Sequence, residues 1–185
     1  NSDFQDLSTM PTTARSIEHY ILAKDGNRPD LLRQSFTVDA NLEMVVRSGV
    51  ISFPPHVRGR AGIADVLVRR FGQTYENVYT FCLGDPPGAG SGTHYCKWLV
   101  GMSVKETGEL RIGCGDYRWR FAAQSGLAEH LCITIEQMQA CPAQELEPVM
   151  DWLQALPYPW CQPAEMIEGA PPVSSLAAIL DYLDR

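Results

Sequence analysis

No apolar run in this 185-residue chain approaches the ~20 residues a bilayer-spanning helix needs. The first residues, with Asp3 and Asp6, lack the basic region and apolar core of an export signal. Met10-Pro11-Thr12 offers an alternative natural start. There is no surplus of positive charge: the net charge is −7 and the pI near 5.0, so nucleic acid and anionic membranes are not expected partners. Paired metal ligands are also missing. Six cysteines occur, at 82, 96, 114, 132, 141 and 161, without a Cys-x-x-Cys or a helical His pair among them. They read as reduced, buried thiols of a cytoplasmic protein, and neither metal nor cofactor is expected. Internal repeats and low-complexity segments are absent as well.

What is present is a mid-sized chain, 45% hydrophobic and 20% charged, which suits one packed core. A flexible N-terminus is expected over 1–12. Pro11 and Thr12-Thr13 then open a helix whose stripe carries Ala14, Ile17, Tyr20 and Ile21. Gly26-Asn27 closes it, and Pro29 opens a short second helix with Leu32 and Phe36 facing inward together. A strand follows over 41–47, with Leu42, Met44 and Val46 on one face and Glu43 on the other. A third helix runs from Gly59 to Phe71.

From there to Cys141 the alternation predicts antiparallel strands over 75–83, 94–104, 110–121 and 127–139, the middle two joined as a hairpin through Lys105–Glu109. Tyr75, Asn77, Tyr79 and Phe81 are expected on one face, lining a pocket. His94, Cys96 and Trp98 share a second face, and Tyr117, Trp119 and Phe121 a third, opposite Asp116, Arg118 and Arg120. His130 is expected to face outward, and His56 to sit in a loop at the pocket rim. After Cys141 come a helix with Leu146, Val149, Met150 and Leu153, a Pro/aromatic link around Tyr158 and Trp160, and a last helix capped by Ser174. That apolar extension, 141–185, must dock on its own domain or on a sister subunit.

Three helices interleaved with one strand, then long antiparallel strands, resemble the nuclear transport factor two-like superfamily, which includes SnoaL-like cyclases, scytalone dehydratase and ketosteroid isomerase. The residues carrying the resemblance are Tyr20, Phe36 with Asp39-Ala40, Gly59 with Ile63, and Tyr117 to Phe121, within roughly 13–140. The resemblance implies an α+β, cystatin-like cone: three N-terminal helices on a curved mixed or antiparallel sheet, enclosing a pocket, with a helical C-terminal tail. It also implies a homodimer joined through the outer face of the sheet. Tyr20 falls where ketosteroid isomerase keeps its oxyanion-stabilising tyrosine, and Met44 where that enzyme keeps its general-base aspartate. The second oxyanion donor falls near 115–117, on Asp116 or Tyr117. The aspartate that scytalone dehydratase pairs with a histidine falls at Leu22.

Methionine cannot take a proton, so steroid-type isomerisation is not expected. The function implied is binding of a small hydrophobic molecule in an enclosed pocket lined by Tyr20, Met44, Asn77, Tyr79, Trp98, Tyr117 and Trp119. Either a cofactor-free isomerase, cyclase or lyase, or a non-catalytic ligand-binding or oligomerisation domain, would use such a pocket.

Overall fold

The computed structural model describes residues 12–185; the flexible N-terminus expected over 1–12 lies, except for Thr12, outside the described residues. Helix α1 (Thr13–Asp25) starts where the Thr12 hydroxyl accepts from Arg15 N–H, satisfying one of the free amides of the first turn. A 3₁₀ helix (Pro29–Gln34) leads into β1 (Phe36–Val46), a longer strand than the alternation from Asn41 predicts. The short β2 (His56–Arg58) precedes α2 (Arg60–Ala64), which continues through a π-helical segment (Asp65–Arg70) into α3 (Phe71–Thr74).

Strands β3 (Tyr75–Leu83), β4 (Thr93–Val104), β5 (Leu110–Phe121) and β6 (Ala128–Cys141) follow. Beyond them lie α4 (Leu146–Gln154), β7 (Trp160–Cys161), α5 (Pro163–Glu168) and α6 (Ala177–Leu183). The seven strands form one sheet in the order β2-β1-β6-β5-β4-β3-β7. Pairing is antiparallel except for β1 with β6 and β3 with β7, so the sheet is mixed. The α+β fold, with N-terminal helices interleaved with the first strands and a helical extension after the sheet, is as expected.

The sheet separates two cores. On the inner side, Ile17, Tyr20 and Ile21 of α1, Phe36 and Leu42 of β1, and Leu67 and Phe71 pack against Trp98, Tyr117 and Trp119. On the outer side, Phe81, Leu99, Leu110, Ile112 and Cys114 are buried under Val149, Leu153, Met166, Ile179 and Leu183 of the chain's own extension. The tail thus docks in cis. Its fit depends on Gly101 in β4, where an added Cβ would collide with Leu153 Cδ1. Ser174 opens a 3₁₀ turn instead of capping the helix, so α6 starts at Ala177, two residues later than expected.

One register change reassigns two expected pocket residues. Between Glu76 and Tyr79 the β3–β4 pairing shifts, and Asn77 adopts a left-handed φ of 55°. This bulge inverts the alternation, because side chains change face at every residue. Tyr75 points inward, but beyond Asn77 it is Val78 and Cys82 that join the inner core, while Tyr79 and Phe81 join the outer one. Asn77 is exposed at the edge and donates to Ser103 Oγ at 3.0 Å, and Tyr79 meets Gln154 and Tyr158 of the tail. Neither Asn77 nor Tyr79 reaches the inner side.

Candidate functional site

The inner core is incompletely filled. A cavity of about 40 Å³ lies between α1, the helical segment 65–74 and the sheet. Typical ligand pockets span ~300–1,000 Å³, so a small molecule enters this one only as its lining side chains move apart. The wall is mostly apolar, and three of its side chains are methionines, Met44, Met102 and Met138, which repack readily around different shapes.

Polar groups enter this cavity from few places. Tyr20 and Lys24 stand one turn apart on α1 and therefore share a face. Tyr117 comes from β5, with its ring edge-on to Tyr20 at a centroid distance of 5.9 Å, and Trp98 of β4 stacks on Tyr117 at 5.7 Å. The two hydroxyls lie close enough to influence one another's titration. Burial holds the Tyr20 hydroxyl far above the ordinary phenol range, and does the same for Tyr117. Both therefore remain neutral hydrogen-bonding groups at any physiological pH. Among the described residues, the buried Trp98 Nε1 has no hydrogen-bond partner.

Lys24 is only 7% exposed. Its Nζ donates to Thr80 Oγ1 at 2.6 Å, lies 3.4 Å from Asp25 Oδ1, and sits 4.9 Å from the centre of the Phe71 ring. Desolvation lowers its pKa, and the neighbouring Asp25 carboxylate offsets this only in part. Asp25 has its own donors: Thr80 N–H at 2.7 Å, Thr80 Oγ1 at 2.8 Å and Tyr158 Oη at 2.7 Å. An acidic residue at a helix C-terminus opposes the helix dipole, and these contacts offset that cost.

Of the residues expected to line the pocket, Tyr20, Met44, Trp98 and Tyr117 converge on this cavity. Trp119 is packed behind it, 5.5 Å from Tyr20 and stacked between Phe36 and Phe121. Asn77 and Tyr79 lie elsewhere, for the reason given by the bulge. Of the two alternatives at 115–117, Tyr117 faces the cavity; Asp116 faces outward, accepting from Tyr95 and Tyr182.

Leu22 is exposed, and His56 pairs with Glu43 on the far side of β1. His130 also faces that side, 3.6 Å from Glu43. His94 and Cys96 do not form part of the wall. Hydrogen bonding with Cys82, and then with His94, pulls the Cys96 thiol below its ordinary value, while Cys82 is pushed up. Sequence reasoning missed Lys24, Phe53, Phe71, Met102 and Met138. The spacing 17, 20, 21, 24 would have placed Lys24 on the buried stripe of α1, but a lysine there reads as the polar edge of a helix.

No family model and no curated protein matches the sequence. Solved structures do match. One is a protein from Catenulispora acidiphila described as having a ketosteroid isomerase-like fold, in complex with trimethylamine. It has a TM-score of 0.51 and 15% identity over 68% of this chain and 85% of that one. The chain has the ketosteroid isomerase-like, NTF2-like fold. A type 2 hexachlorocyclohexane dehydrochlorinase aligns with a TM-score of 0.54 and 12% identity over 75% and 92% of the two chains. An LEH-like epoxide hydrolase of Mycobacterium tuberculosis aligns at 0.50 and 11% over 66% and 81%. Each similarity is one of fold. Residues beyond Cys141, packed on the outer face, add to what the sequence resemblance covers.

Proposed function

We propose that this protein binds a small, largely apolar molecule carrying one oxygen function in the cavity beside α1. The observation that carries this reading is the convergence of Tyr20, Lys24, Tyr117 and Trp98 on an otherwise apolar wall. The phenols and the indole would orient the ligand oxygen, and the methionines would fit the rest. Within the SnoaL-like range of activities, a cofactor-free isomerase, cyclase or lyase is the catalytic form of the proposal. The phenol pair would then meet developing negative charge on oxygen.

A steroid-type proton shift is disfavoured, because Met44 occupies the position where the resembled enzyme keeps its base. The non-catalytic binding module is the second reading. It draws on the wall of the cavity, to which no Asp, Glu or His contributes among the described residues. The homodimer remains a proposal: with β3–β5 covered by the tail, a second copy would use the outer side of β1 and β6. Light scattering on the purified chain decides it.

Calorimetric titration with cyclohexanol tests the binding reading. Binding that weakens about fivefold in Tyr117→Phe, the cost of roughly 1 kcal/mol of hydrogen bonding, and that is unchanged in Asn77→Ala, is the expected result. Undetectable binding, or equal weakening by both substitutions, overturns it.

A further inference from the structure

Lys24 is a buried lysine on the wall of the cavity. Resting on the ligand reading above, the geometry points to Lys24 as a nucleophile that forms an imine with a small aldehyde or ketone held in the cavity. A lysine becomes nucleophilic when its amine is neutral and its nitrogen faces a reactant in an apolar site. Lys24 has the position and the burial for this. It lines the cavity beside Phe71 and the phenols, and its burial favours the uncharged form over the ammonium.

The buried partner does not forbid neutrality. Asp25 keeps three other donors, two on Thr80 and one on Tyr158, so loss of the lysine charge leaves no orphaned carboxylate. The groups facing the amine are Asp25, the Thr80 hydroxyl and the Cys82 thiol.

The step balances without an external oxidant or metal. The Nζ lone pair attacks the carbonyl carbon, the C=O π pair moves to oxygen, and the resulting carbinolamine loses that oxygen with the two amine hydrogens as water. Tyr20, Tyr117 and Trp98 are the cavity's donors toward the carbonyl oxygen as it gains charge. Once its nitrogen takes a proton from solvent, the imine withdraws electrons from the adjacent carbon, an acidifying effect that Met44 cannot provide.

The chain suits a direct test because it has three lysines, Lys24, Lys97 and Lys105. Lys97 is held by the Tyr182 and Arg185 carbonyls, and Lys105 is exposed. The full chain is incubated at neutral pH with cyclohexanone and sodium cyanoborohydride, which reduces any imine to a stable N-cyclohexyl lysine, and the adduct is located by peptide mapping. Lys24 is expected to label several-fold faster than Lys105, because desolvation lowers its pKa and leaves more free amine at neutral pH. Cyclohexanol, which cannot form an imine, should slow labelling at Lys24 alone.

Lys24→Arg should lose the fast adduct while keeping the circular-dichroism spectrum and melting transition of the unmodified chain, which separates loss of the nucleophile from loss of the fold. Labelling no faster at Lys24 than at Lys105, in protein that still binds cyclohexanol, overturns the imine and leaves the binding reading intact. If cyclohexanol neither binds nor protects, both fall.

Discussion

Leu153 of α4 puts a δ-methyl into the notch that Gly101 leaves in β4, and this contact locks the tail onto the sheet. Leu153 is 1% exposed, so Leu153→Ala removes a fully buried isobutyl group and should cost about 3 kcal/mol, within the ~2–5 found for such deletions. For a chain of this length each kcal/mol lowers Tm by ~2–4 °C, so a fall of roughly 6–12 °C follows. Gly101→Ala forces the Leu153 methyl aside and should cost about 1–2 kcal/mol through overpacking. In the double variant the methyl added at position 101 enters the space that the truncated side chain vacates, so the two costs should not add. A favourable coupling of about 1 kcal/mol is expected. Urea unfolding of the four proteins measures it. Additivity within ~0.3 kcal/mol, or a cost below ~1 kcal/mol for Leu153→Ala, would refute the docking described here.

At the β3 bulge, Asn77→Val should cost about 1–2 kcal/mol, because a β-branched residue tolerates φ near +55° poorly, whereas Asn77→Gly should stay within ~1 kcal/mol; equal melting temperatures would contradict the bulge. Alkaline stability offers another check. Tyr20 and Tyr117 have folded pKa values raised above the ordinary 10.0, so their contribution is fully present below pH 10 and is lost as pH rises toward the folded values. Lys24, with a lowered pKa, runs the other way, its cost easing up to about pH 10.5. Stability should therefore fall above pH ~10.5, and less steeply in a Tyr20→Phe/Tyr117→Phe variant; parallel pH profiles would count against burial of the two phenols.

The parts of this fold legible in the sequence are those where one face is buried and the period is unbroken. The α1 stripe from Ile17 to Ile21 and the alternation Tyr117, Trp119, Phe121 each identify an inward face, and the structure packs them against one another. Strand β3 defeated the same reasoning, because a bulge inserts one residue without a glycine to announce it; Asn77 takes the left-handed conformation that its short amide side chain tolerates. Lys24 escaped notice for a different reason. Its burial depends on Thr80 and Tyr158, which are distant in sequence and come together only when β3 and the tail close over the end of α1. The order of the sheet was equally hidden, since the parallel pairing of β1 with β6 joins segments more than eighty residues apart.

The methionines give the most direct test that one cavity beside α1 is the ligand site. Met44, Met102 and Met138 line it, while Met150 and Met166 lie on the opposite side of the sheet beneath the tail. In protein labelled with ¹³C at the methionine methyls, titration with cyclohexanol should shift the resonances of Met44, Met102 and Met138 along one saturating curve and leave those of Met150 and Met166 in place. Shifts confined to Met150 and Met166, or no shift at all, would contradict the account.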